Sequence, residues 1–196
     1  MARMTDCFTG QLTLGALGLI GCLAFYLVWW CLVFKPQTGR ATVFSTTCIV
    51  LAVLFGIAGL ALTLIGIGNA PATTAFPNWW FAVGGLVAYV VLMFGTYLLF
   101  KRPVTTELFL IVGFAALELS VVHTLYATGT MGMAWLIALL VLLAVIEVAS
   151  LVGYVLYYNL DGMSGYIDGM VPLAAGAVFL LVSLVPLVSS LYVTCI

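Results

Sequence analysis

The chain has 196 residues, of which 66% are hydrophobic and 6% charged, with a net charge of -1. A soluble domain usually carries about 25% charged residues, so this chain cannot cover a water-facing surface and its solvent must be mostly lipid. Five Lys and Arg residues cannot assemble a basic patch for nucleic acid.

Apolar runs of about 20 residues read as transmembrane helices. Six occur, at 11–34, 41–68, 79–100, 104–127, 133–158 and 170–194. The breaks between them, "KPQTGR", "NAPATTAFPN", "KRP", "TGTMG" and "NLDGMSGYIDG", carry turn residues. The runs lack the period-2 alternation of a barrel strand. The expectation is an all-α integral membrane protein, one six-helix domain over 1–196, built as three successive helical hairpins. Membrane lipids are its surroundings, and no cofactor is called for.

The first span holds Gly15, Gly18 and Gly21, and the second holds Ala52, Gly56, Gly59 and Thr63. Small residues four apart let helix backbones approach closely in lipid. "LIGC" at Leu19 to Cys22 matches a lipoprotein cleavage box. The segment before it is a poor signal peptide, and the apolar run continues past Cys22, so coincidence is the reading taken. Trp29 and Trp30 lie near one end of the first span, and Trp79 and Trp80 open the third. All four suit anchoring at the headgroup level.

Orientation follows the basic residues. Lys35 and Arg40 lie in the first loop and Lys101 and Arg102 in the third, against Arg3 elsewhere. That places loops 1 and 3 in the cytoplasm and both termini outside. The first two hinges also echo each other. A shift of 66 residues aligns Leu32, Phe34 and Lys35 with Leu98, Phe100 and Lys101, and Gly18 with Gly84. A duplicated hairpin and convergence at the interface both explain the echo.

The fourth span carries Glu118 and His123, and the fifth carries Glu147. A charge at the centre of a membrane helix costs about 2.5–3.5 kcal/mol on insertion scales. Both carboxyls are therefore expected to face the bundle interior, and burial favours their neutral form. Glu147, Ser150, Tyr154 and Tyr158 follow i, i+3, i+7, i+11 and form one stripe. Glu107 and Glu118 lie within about 20° of each other around the fourth span. A short turn joins the two spans, which makes them expected neighbours. A proton or solute path through Glu118, Glu147, Ser150 and Tyr154 is one reading. The competing one is a neutral Glu that hydrogen-bonds across helices as glue. His123 lies about 140° from Glu118 with Ser120 and Thr124. It reads more naturally as a hydrogen-bonded structural residue than as a ligand, with pH sensing as the alternative.

One His, and the lack of Cys-x-x-Cys, His-x-x-x-His or a phosphate loop, argue against a haem, metal or nucleotide enzyme. Cys22, Cys31 and Cys48 lie in or at the ends of spans and read as small apolar residues. Cys7 and Cys195 fall on one side of an even number of spans. They could form a disulfide if the first and sixth spans adjoin.

In size and span number the chain resembles, in outline, the acid-gated urea channels and the small acetate permeases. The first group also has outside termini and short inner loops. The asparagine-proline signature of the second is absent, and no residue roles carry over. Two functions are expected from the sequence. One is a channel or carrier for a small neutral or weakly acidic solute, coupled to protons through the carboxyls. The other is a non-catalytic anchor or structural subunit of a larger membrane complex. The first goes with a homo-oligomer and the second with partner membrane subunits.

Overall fold

The computed structural model describes residues 7–71, 78–100, 106–157 and 160–194. Their regular structure is entirely helical: α1 (Phe8–Val33), α2 (Val43–Asn69), α3 (Trp79–Phe100), α4 (Thr106–Ala127), α5 (Met133–Tyr157), α6 (Gly162–Asp168) and α7 (Val171–Thr194). Six segments are long and apolar enough to cross a membrane, which makes this a multi-pass integral membrane protein. The sequence reading located all six spans. It missed α6, which sits inside the break "NLDGMSGYIDG". Seven residues with two glycines carry no apolar period, so only tertiary contact reveals this turn of helix. Trp30 at the end of α1 donates its indole N–H to the Tyr166 carbonyl at 3.2 Å and ties α6 to the bundle.

Local signals set the ends. Thr42 caps α2: its hydroxyl accepts the Ser45 N–H at 3.2 Å, and its own N–H donates to the Ser45 hydroxyl at 2.8 Å. This is a capping box with Ser in the usual Glu position. Gly129, at φ 71°, turns the chain out of α4, a left-handed conformation that glycine adopts without strain.

α1 packs on α2 and α7, α7 on α5, α5 on α4, and α4 on α3. The spatial order is therefore α2, α1, α7, α5, α4, α3. The α1–α7 contact is the neighbourhood assumed for the terminal cysteines. One apolar cluster joins α1, α4, α5 and α7 through Leu12, Ala16, Val122, Leu125, Leu143 and Phe179, among others. A second, smaller one joins Leu108, Ile111 and Val112 of α4 to Tyr154 of α5, with Tyr89 and Leu92 of α3 packed against it. α4 is the most enclosed span, with 44% of its apolar window buried against 6% for α3. α2 and α3 flank the bundle and turn broad apolar faces outward, including Leu54, Ile57, Leu86, Val91 and Phe94.

The α1–α2 seam is set by glycine. A methyl placed on Gly18 would lie 2.8 Å from the Gly59 Cα, and one on Gly59 would lie 2.7 Å from the Leu19 nitrogen. Both neighbours are backbone and cannot move aside, so the seam admits hydrogen only. Gly84, the position aligned with Gly18 in the repeat reading, has nothing within 4 Å of such a methyl. The two hinges are alike in sequence, but their helices do not share a packing role.

Gly59→Val should therefore destabilise the detergent-solubilised protein by about 1–3 kcal/mol, the usual cost of overpacking. Gly84→Ala should not destabilise it. Unfolding curves followed by circular dichroism measure both, and equal losses in the two variants would refute the seam.

Candidate functional site

The helical register of α4 and the way α5 is clamped between α4 and α7 define the site. On α4, Ile111, Glu118 and Leu125 are spaced by sevens and share one stripe. Ile111 belongs to the smaller apolar cluster and Leu125 to the larger. Phe114, one turn before Glu118, and Val122, one turn after it, also go with the larger cluster, so Glu118 lies alongside that cluster. Glu118 is 2% exposed. On α5, Tyr154 of the smaller cluster lies seven residues past Glu147, and Leu143 of the larger lies one turn before it. Along α5, Glu147 lies between the α5 members of the two clusters.

The flanks of α5 show which way Glu147 leans. Gly153 lies against Val171 of α7, whereas Leu151 packs against the smaller cluster, whose members other than Tyr154 belong to α4. Glu147 is one turn from Leu151 and shares its side, toward α4. It is half-buried. Ser150 and Tyr154 are buried, at 3% and 4% exposure. The side chains of Glu107 and Tyr158, the far ends of the two sequence stripes, lie outside the described residues.

No hydrogen bond or ion pair reaches the Glu118 carboxyl from any described residue. The hydroxyls that follow it on α4, and Ser183 of α7, are engaged on their own helices. Ser120 donates to the Ala116 carbonyl at 2.9 Å, Thr124 to Ser120 at 2.7 Å, and Ser183 to Leu180 at 2.9 Å. The glue reading requires a bond from this carboxyl to a neighbouring helix, and the described residues contain none. Among those residues there is also no cluster of His, Cys, Asp and Glu able to hold a metal.

His123 has its contacts elsewhere. Its Nδ1 lies 2.8 Å from the Asn78 Oδ1, and its ring lies 5.3 Å from that of Phe81. The residue joins the start of α3 to the end of α4. Asn78 is a functional contact that the sequence reading passed over. It stood in a loop string, and its partner lies 45 positions away. A second amide pair, Asn69 donating to Gln11 at 3.0 Å, joins the end of α2 to the start of α1. The signal available for both was a lone amide within one turn of a span boundary.

Among the described cysteines, Cys22, Cys31 and Cys48 are free. Cys48 is buried, while Cys31 is exposed with its thiol 3.6 Å from the Met170 sulfur. Cys7 is disulfide-bonded. Cys195, its expected partner, lies outside the described residues. Comparison with family models, with curated proteins and with solved structures finds no match.

Two outcomes are expected. Glu118→Leu should leave stability unchanged or raise it by up to about 3 kcal/mol, because it removes a polar group from an apolar core at similar volume. A clear loss of stability would reveal a structural partner for the carboxyl. Non-reducing peptide mapping of protein never exposed to reductant should recover the Cys7 and Cys195 peptides linked. Their recovery as separately alkylated thiols would rule that bridge out.

Proposed function

We propose that this protein is a small proton-coupled carrier for a small neutral or weakly acidic solute, with Glu118 and Glu147 as the groups that bind or relay. The observation that carries the reading is Glu118, enclosed in a membrane bundle with no hydrogen-bond partner among the described residues. A group that costs this much and supports nothing around it is a functional group by default. Apolar residues of the larger cluster flank Glu118 along α4, Phe114 before it and Val122 after it. That arrangement favours an occluded carrier over an open pore, since a continuous polar path would have to pass them. Ser150 and Tyr154 supply hydroxyls on the α5 stripe next to Glu147. No step of this reading requires an enzyme's chemistry or a cofactor.

A second reading is favoured by the outward apolar faces of α2 and α3. They suit a subunit that packs against partner membrane proteins or against copies of itself. Glu118 would have no assigned work in that case.

Reconstitution in liposomes separates the two, with swelling or tracer uptake measured for urea, acetamide and acetate at several pH values. The carrier reading predicts saturable uptake of at least one of these that changes with pH. It also predicts that Glu147→Gln, which mimics the protonated carboxyl, keeps the fold and loses the pH dependence. PH-dependent uptake that survives this substitution contradicts the role given to Glu147. Absence of uptake for all three, with a stoichiometric foreign subunit in a native membrane extract, supports the second reading.

A further inference from the structure

His123 is the chain's single histidine, and a run of three hydrogen bonds leads to its Nδ1. The Thr124 Oγ1 lies 2.7 Å from the Ser120 carbonyl oxygen. Two oxygens at that distance need a proton between them, and a carbonyl has none to give. The single Thr124 hydroxyl proton is therefore committed there. Thr124 is 3% exposed, so it is largely shielded from bulk water. The Asn78 side-chain atom 2.9 Å from the same Oγ1 must then be the amide nitrogen, donating. A flipped amide would set two acceptor oxygens against each other. With its nitrogen so placed, Asn78 turns Oδ1 to the His123 Nδ1 at 2.8 Å. An amide oxygen only accepts, so Nδ1 must carry the proton.

We infer that Asn78 holds neutral His123 as its Nδ1–H tautomer, making Nε2 the one basic ring nitrogen and pinning the start of α3 to the end of α4. Amide orientation and histidine tautomer are set by the network they complete, and here each bond in the chain dictates the next. Asn78 is a positioning residue: it aims the ring and selects which nitrogen bears the lone pair, as outer partners do for histidine ligands. A proton or a hydrogen-bond donor meeting this imidazole meets it at Nε2. Protonation there leaves the Nδ1–H bond in place and makes it charge-assisted, roughly twice as strong as a neutral one. The α3–α4 joint thus survives protonation. The first two turns of α3 and the first turns of α5 hold no titratable side chain, and on α4 the nearest are Glu118 and Tyr126. The inference stands independently of the transport reading.

A single histidine makes the test direct. Protein labelled with 15N only in histidine, in lipid bilayers at a pH where the ring is neutral, should show a protonated Nδ1 and an unprotonated Nε2. Asn78→Leu removes the acceptor and should return the ring to the Nε2–H form that predominates in water. Asn78→Asp retains an acceptor for Nδ1 and should keep the Nδ1–H form, with the Thr124 hydroxyl turning from the Ser120 carbonyl to donate to the second carboxylate oxygen. An Nε2–H ring in the unmodified protein overturns the inference without any variant. So does an Asn78→Leu spectrum identical to that of the unmodified protein. If Asn78→Leu does not fold, the unmodified protein and Asn78→Asp decide the matter.

Discussion

Hydrocarbon around the bundle removes the usual driving force for helices to associate, and it tolerates no unmet polar group on the outer surface. Most of the structure answers that constraint. α1 and α2 hold together by backbone approach at Gly18 and Gly59, where no side chain fits. Hydroxyls along the spans turn back on their own helices, as Thr13, Thr63 and Ser120 do. The amide groups sit within a turn of the span ends and pair across helices, Asn69 with Gln11 and Asn78 with Thr124 and His123. Tryptophans gather at helix ends, with Trp79 and Trp80 stacked at 4.4 Å.

Glu118 is the exception. It lies on the most enclosed helix, flanked along it by residues of the larger apolar cluster, and no described neighbour compensates it. The hydroxyls nearest in sequence have already spent their protons on backbone carbonyls. Packing of small residues explains how the bundle coheres without this carboxyl, and the larger apolar cluster explains how it is enclosed. What remains unexplained by cohesion is the presence of the acid itself, and the carrier reading assigns it work. Glu147, on the α4-facing flank of α5 and only half-buried, is the more accessible member of the pair.

Much of this was legible in the sequence, for identifiable reasons. Span positions follow from length and hydropathy, which bilayer thickness dictates directly. The burial of Glu118 follows from the cost of a carboxyl at mid-span. Other features were beyond its reach. The spans are apolar on every side, so no periodic contrast tells which face meets which neighbour. The order α2, α1, α7, α5, α4, α3 emerges only from the packing. The α6 turn is too short and glycine-rich to show a period. The echo between the first two hinges says nothing of packing, because Gly18 and Gly84 occupy similar sequence settings but Gly18 meets the Gly59 backbone and Gly84 meets nothing within 4 Å. The Asn78–His123 joint links a loop residue to a helix residue far along the chain, and nothing local marks it.

The account turns on whether protons reach Glu118 inside the closed bundle. Infrared spectra of the protein in bilayers, with the Glu118→Gln spectrum subtracted, isolate the carbonyl band of this one acid. The account predicts a neutral-acid band that shifts when the membranes are moved into D2O, within the time of a flux measurement. A band that stays fixed while exposed loop amides exchange would show a carboxyl sealed from protons, and would contradict the role assigned to it.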